Sequence, residues 1–313
     1  MQSVRSAGDE APLILAGGSN VVIGDNGFAG PVVLVRSAGW SLASGDGGSV
    51  DLIVEAGQDW DEFVAYTVAE GLAGVECLSG IPGSAGATPI QNVGAYGQDV
   101  AEVTTAVTVL DRLADEIVEI DAAGCEFAYR ASRFKHNDRW VVLSVRLRLA
   151  RSSVSTPIRY AELARVLGVE VGAAVPLEQA RDAVLKLRRG KGMVLDPEDP
   201  DTRSVGSFFV NPVLSAAAYQ SIVDGWDGPA PIAWPGADGV VKVSAAWLIE
   251  NAGFRKGYAR PGAAISGKHT LALTNRGGTT EDLLALAREV RDGVHERFGV
   301  TLRPEPVLIN CAL

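Results

Sequence analysis

The stretch Ser79-Gly-Ile-Pro-Gly-Ser-Ala-Gly-Ala-Thr-Pro-Ile-Gln-Asn-Val-Gly-Ala-Tyr-Gly97 is the densest chemical signal in the sequence, with glycines at 80, 83, 86, 94 and 97. Glycine loses more backbone entropy on folding than other residues. A run this rich is therefore compensated where backbone N–H groups must close on an anion such as a pyrophosphate. A long connecting loop accounts for the composition equally well. Neither the GxGxxG fingerprint nor GxxxxGK[ST] is present, so a Rossmann or P-loop assignment has no support. A second signal is Ser204-Val-Gly-Ser-Phe-Phe-Val-Asn-Pro212. Ser207 there has no GxSxG elbow and no histidine in a recognisable partner motif, which argues against a hydrolase and leaves a buried capping serine as the plainer account. The third, Tyr129-Arg-Ala-Ser-Arg-Phe-Lys135, is a basic turn able to hold a carboxylate or phosphate through a planar guanidinium, or simply to be solvated at the surface.

These segments need elements to position them, and hydrophobic spacing supplies candidates. Strand-like runs at Leu13–Ala16, Val50–Ala56, Val103–Leu110 and Val141–Leu149 alternate with helical patterns, which predicts an α+β or α/β architecture. The first run breaks at Gly17-Gly18-Ser19-Asn20, where a tight turn or a ligand's close approach is allowed. Trp60, Val64 and Val68 recur at helical spacing before Gly71, and Leu177, Ala180, Val184 and Leu187 predict a helix to Arg189. Prolines and charges in Leu195–Arg203 cannot sustain regular structure, so the main domain boundary falls there. Beyond it, Ser244 caps a helix through Asn251, and Gly299 ends another marked by Leu283, Ala287, Val290, Val294 and Phe298. A final strand is expected over Val300–Ile309, with Pro304 and Pro306 holding Glu305 out of a regular ladder.

Composition narrows the function. The 313 residues suffice for about two domains. Lys and Arg number 28 against 38 Asp and Glu, a net charge of -10 that gives no electrostatic reason to bind nucleic acid or an anionic membrane. Three scattered cysteines, Cys77, Cys125 and Cys311, suit a reducing cytosol, and three histidines without HExxH spacing argue against a metal site. No signal peptide or membrane-spanning run is evident, so a cytoplasmic protein is expected.

Five segments taken together, LAGGSN at 15–20, SGIPGSAGATPIQNVGAYG at 79–97, YRASRFK at 129–135, GSFFVNP at 206–212 and RPEPVLI at 303–309, resemble the UDP-N-acetylenolpyruvoylglucosamine reductases in the family's order. The resemblance implies an α+β fold: a two-part FAD-binding region of the vanillyl-alcohol oxidase type over 1–175 (subdomains 1–37 and 38–175), an α+β substrate domain over 190–302, and a C-terminal strand over 303–313 carrying Glu305. It implies that members start some tens of residues earlier, so that Met1 falls inside a helix of the first subdomain.

By the same resemblance, Gly17, Gly18, Ser19, Asn20, Ile81, Pro82, Gly83, Ala87, Thr88, Ile90, Asn92, Gly94 and Ala95 line FAD. NADPH is the co-substrate, and the other substrate is a UDP-sugar enolpyruvyl ether, reduced for peptidoglycan precursor synthesis by a monomer. Ser207 matches the proton donor. Arg130 holds the substrate carboxylate, and Glu305, if protonated, donates to the same group. Tyr160, Lys191 and Asn211 fall at the UDP pyrophosphate or the substrate's polar groups, with His269 also on the substrate side. Two alternatives remain, an FAD-dependent alcohol or sugar oxidase of the same fold and a non-catalytic nucleotide-sugar binder.

Overall fold

A computed structural model describes residues 12–313; the helix expected around Met1 lies outside the described residues. The chain divides into two units, one of residues 12–18 and 29–194, the other of 19–28 and 195–313. Helices and antiparallel strands segregate in the manner of an α+β protein.

In the first unit, strands run in the order Glu116–Asp121, Thr104–Asp111, Trp140–Arg151, Ser49–Glu55, Trp40–Gly45, each antiparallel to its neighbour. Val145 pairs with Val54 on one side and Val107 on the other, so the central strand is buried from both flanks. Helix α1, Trp60–Ala69, starts where the Asp59 side chain accepts the Glu62 N–H, and it buries Trp60, Phe63 and Val64 against Val54, Leu147 and Leu149. Helices α2, Ala161–Leu167, and α3, Leu177–Gly190, meet around Ile158, Leu163, Ala180 and Val184, the last two belonging to the stripe that the spacing predicts. A parallel pair, Leu13–Leu15 with Val32–Leu34, completes the unit.

The second unit has a four-stranded antiparallel sheet (Ser204–Ser207, Ala272–Asn275, Ala263–Ile265, Ala259–Arg260) and a three-stranded one (Val213–Ser215, Val240–Val243, Ala233–Pro235). Its helices are α4, Ala216–Asp224, α5, Ala245–Asn251, and α6, Thr280–Phe298. Ser244 caps α5 as expected, while Thr279 and Asp282 form a capping box on α6 and Gly299 ends it in the left-handed conformation. Leu284, Leu286, Val290 and Val294 of α6 share a core with Phe208, Phe209, Leu248 and Ile249.

The last strand is shorter than its hydrophobic run suggests. Only Val307–Ile309 is strand, and its partner is Val21–Ile23, in parallel. That pairing is why residues 19–28 group with 195–313. Residues 300–306 lie outside regular strand because neither proline can donate to a ladder, yet Glu305 is not left unbonded: its N–H donates to the Phe208 carbonyl at 2.9 Å, beside an isolated bridge between Phe209 and Pro304.

Candidate active site

The glycine-rich segment hangs from the start of α1. Gly83 C=O accepts the Trp60 N–H at 3.0 Å, Ala85 N–H donates to Gln58 C=O at 2.9 Å, and Gly86 N–H donates to Ala56 C=O at 2.8 Å. Asp61, in the first turn of α1, accepts the Gly80 N–H at 2.6 Å and pairs with Arg181 of α3 at 2.6 Å. Burial alone would raise the Asp61 carboxyl, but Arg181 and the Gly80 N–H together hold it below its ordinary value.

The other glycine pair meets this segment. A Cβ on Gly17 would lie 3.3 Å from the Gly83 Cα, so two side-chain-free backbones touch there, with Gly18 and Gly83 both at positive φ. A cradle of this kind lets peptide groups approach the oxygens of a diphosphate, and it fits the FAD expected of Gly17, Gly18 and Ile81–Gly83. Thr88 is buried with its hydroxyl on Ala85 C=O, and Ile90 packs against the sheet core while its carbonyl accepts the Ser132 hydroxyl at 2.6 Å. Asn92, at φ 46°, spans the turn: its amide donates to Ala128 C=O at 3.0 Å and its oxygen accepts the Ala101 N–H at 3.1 Å. Ser19 and Asn20, one and two residues past Gly18, fall in the second unit, where Asn20 C=O accepts the Val307 N–H at 3.0 Å.

Arg130 also reaches the glycine-rich segment. Its guanidinium donates to Gly94 C=O at 2.6 Å and Asn92 C=O at 3.2 Å, and stands 3.5 Å from the Asp99 carboxylate. A Cβ on Gly94 would run into that carboxylate and come within 2.9 Å of the Arg130 nitrogen, so only glycine fits between them. The basic turn is therefore tied to the loop, and its arginine is 20% exposed rather than freely solvated.

Tyr160 immediately precedes α2, and Lys191 immediately follows α3. Tyr96 joins them: its ring meets Tyr160 edge-on at 5.6 Å and carries the Lys191 ammonium 5.6 Å from its centroid. Lys191 also pairs with Glu162 at 2.5 Å. Burial pushes the Tyr96 hydroxyl up to about 12, with the Glu162 charge adding to it and Arg188 opposing, and burial raises Tyr160 as well.

In the second unit, Ser207 ends its strand with Oγ 3.5 Å from His269 Nε2. The loop carrying His269 is pinned from the acidic segment after residue 195. Asp201 accepts the Gly267 N–H at 3.2 Å and pairs with Arg276, Lys268 pairs with Asp199 at 2.6 Å, and the His269 N–H donates to the Ser266 hydroxyl at 3.2 Å. Lys268 holds the Asp199 carboxyl below its usual range. Phe208 N–H donates to Leu271 C=O at 2.7 Å, and its own carbonyl accepts Glu305 N–H, so the backbone beside Ser207 is flanked by the His269 loop and by Glu305. Asn211 has its side-chain oxygen committed to the Ala245 N–H at 2.9 Å, at the start of α5. Among the described residues no group of three or more His, Cys, Asp and Glu is placed to hold a metal, and no helix is long and apolar enough to cross a membrane.

Comparison with known proteins decides the family. Residues 197–309 match the UDP-N-acetylenolpyruvoylglucosamine reductase C-terminal domain, and residues 4–121 match an FAD binding domain. A UDP-N-acetylenolpyruvoylglucosamine reductase from Salinispora arenicola is 62% identical over 320 residues, covering 100% of this chain and 88% of the relative. The chain belongs to the UDP-N-acetylenolpyruvoylglucosamine reductase family. Reductases from Thermobifida fusca (59% identical, 100% of this chain and 89% of the relative) and Mycobacterium tuberculosis (49%, 100% and 86%) are similar to it along its whole length. The crystal structure of the reductase from Thermus caldophilus shares the fold, with a TM-score of 0.63 at 23% identity over 97% of this chain and 87% of that one. The reductase C-terminal domain contains Ser207, Asn211, His269 and Glu305, and the FAD binding match contains Gly17–Asn20 and Ile81–Ala95.

Four further residues at this reductase site escaped the motif reading: Asp99 against Arg130, and Tyr96, Glu162 and Arg188 around Lys191. Tyr96 lies inside the 79–97 segment and Glu162 two residues after Tyr160, but their pairings with Lys191 join residues distant in sequence and carry no local signature.

Proposed function

We propose that the chain is an FAD-containing, NADPH-dependent reductase of UDP-N-acetylenolpyruvoylglucosamine serving peptidoglycan precursor synthesis. The observation that carries this reading is identity of 62% with a protein of that name, over 100% of this chain and 88% of the relative. It acts in the cytoplasm as a monomer and without nucleic acid, in keeping with a net charge of -10. Gly17, Gly18, Ser19, Asn20, Ile81–Gly83, Ala87, Thr88, Ile90, Asn92, Gly94 and Ala95 would hold FAD. FAD held there would supply the hydride chemistry that links NADPH to the vinyl group of the substrate.

The chain's own residues do the rest. Ser207 gives its hydroxyl proton to the carbon next to the substrate carboxylate; a hydroxyl is a weak acid, but the accepting carbon is strongly basic once hydride has been added. Arg130, aimed by Asp99 and the carbonyls of residues 92 and 94, holds that carboxylate and offsets the charge developing on it, a contribution of roughly 3 kcal/mol for one well-placed donor. Glu305 donates to the same carboxylate in its protonated form. Tyr160 and Lys191 contact the diphosphate, and Asn211 and His269 the polar groups of the substrate.

Anaerobic absorbance of the purified protein tests the reading. NADPH should bleach the flavin band and UDP-N-acetylenolpyruvoylglucosamine should restore it. Fast recovery with oxygen and none with the enolpyruvyl nucleotide would overturn it.

A further inference from the structure

Two cations stand one helical turn apart at the end of α3, Arg188 and Lys191. Lys191 lies over the Tyr96 ring, and the charge of Arg188 is felt at the Tyr96 hydroxyl. Arg188 donates to Met193 C=O at 2.9 Å, while its Nε is buried without a hydrogen-bond partner among the described residues. Two carboxylates are near: Glu162, 2.5 Å from Lys191 and close enough to both tyrosines to raise their hydroxyl pKa values, and Asp61, which acts on Arg188 but is already paired with Arg181 at 2.6 Å. Glu162 and Lys191 are about equally buried, with side chains 31% and 28% exposed.

We propose that Glu162 is a specificity-determining residue: an internal counter-anion on Lys191 that a ligand must displace with a diphosphate of its own. This deepens the reading of Lys191 as a diphosphate contact and rests on it. With Asp61 and Arg181 neutralising each other, Arg188 and Lys191 against Glu162 leave this cluster with a single positive charge in excess. A diphosphate bearing two negative charges reverses that sign if Glu162 stays, and like charges at contact distance in a half-buried site are strongly unfavourable. If Glu162 withdraws, two cations meet two negative charges. Glu162 lies in the first turn of α2, two residues after Tyr160, so its release from Lys191 also unties the segment that presents Tyr160. A ligand without phosphate has nothing to exchange for Glu162.

Calorimetric titration of the FAD-loaded protein with UDP and with uridine tests this in four forms: unchanged, Glu162→Gln, Lys191→Ala and the double variant. Glu162→Gln should tighten UDP by about three- to tenfold, the range for one partly exposed ion pair, and leave uridine unchanged. In the Lys191→Ala background the glutamine should have no effect on UDP. Unchanged or weaker UDP binding by Glu162→Gln overturns the proposal, as does an equal gain for uridine. Lys191→Ala binding UDP as well as the unchanged protein would instead remove the diphosphate role of Lys191, a failure of the underlying reading that a different variant reports.

Discussion

Ser207 Oγ and His269 Nε2 lie 3.5 Å apart, brought together by a strand end and by a loop that Asp199 and Asp201 pin through Lys268 and Gly267. The imidazole therefore stands at the outer limit of hydrogen-bond reach from the hydroxyl.

Ser207→Ala should leave reduction of the flavin by NADPH nearly intact and slow its reoxidation by substrate about 10²- to 10⁴-fold, the usual contribution of a positioned acid. Stopped-flow absorbance resolves the two half-reactions; equal losses in both would remove the serine's role.

Arg130→Lys keeps the charge but cannot reproduce two directed bonds to the carbonyls of residues 92 and 94. Reoxidation by substrate should fall about 10²- to 10³-fold. The melting temperature should fall too, because Arg130 ties its turn to the loop, and a variant with wild-type melting and turnover would contradict both roles.

Gly17→Ala places a methyl 3.3 Å from the Gly83 Cα, and backbone there must give way. Circular dichroism should be unchanged while the flavin-to-protein absorbance ratio after purification drops. Full retention of FAD would show that this contact lies away from the cofactor.

The Asp61 carboxyl is held below its ordinary value in the folded protein, so the stabilisation it provides is complete above the unfolded carboxyl pKa of about 4 and is lost as pH falls through the lower folded value. Asp61→Asn should lower stability by about 1 to 2 kcal/mol at pH 7, as expected for bonds to a charged group. The difference from the unchanged protein should shrink in melts below pH 4; a gap constant down to pH 2 would assign the loss to packing.

Helices were legible wherever apolar spacing and a cap agreed. Trp60, Val64 and Val68 marked α1, Leu177, Ala180 and Val184 marked α3, Ser244 marked the start of α5 and Gly299 the end of α6. Helix α2 lacks a side-chain cap and is a single short stretch after Tyr160, and the strand Glu116–Asp121 alternates on a largely exposed face, so neither stood out. The run Val300–Ile309 reads as one strand interrupted at Glu305, but the two prolines end the ladder altogether and leave only Val307–Ile309. In the site, the residue types came from motifs, but the Asp99–Arg130 and Glu162–Lys191 pairs span 31 and 29 positions and exist only through tertiary packing.

The parallel pairing of Val21–Ile23 with Val307–Ile309 gives the second unit a temporal constraint. Val21–Ile23 is synthesised long before Val307–Ile309, and the second unit's other strands lie between them in sequence. At roughly 5–20 residues per second, the early strand waits tens of seconds with one edge unmatched. The second unit therefore closes only once Val307–Ile309 has been made, and a message truncated before Val307 would leave Val21–Ile23 without its partner strand.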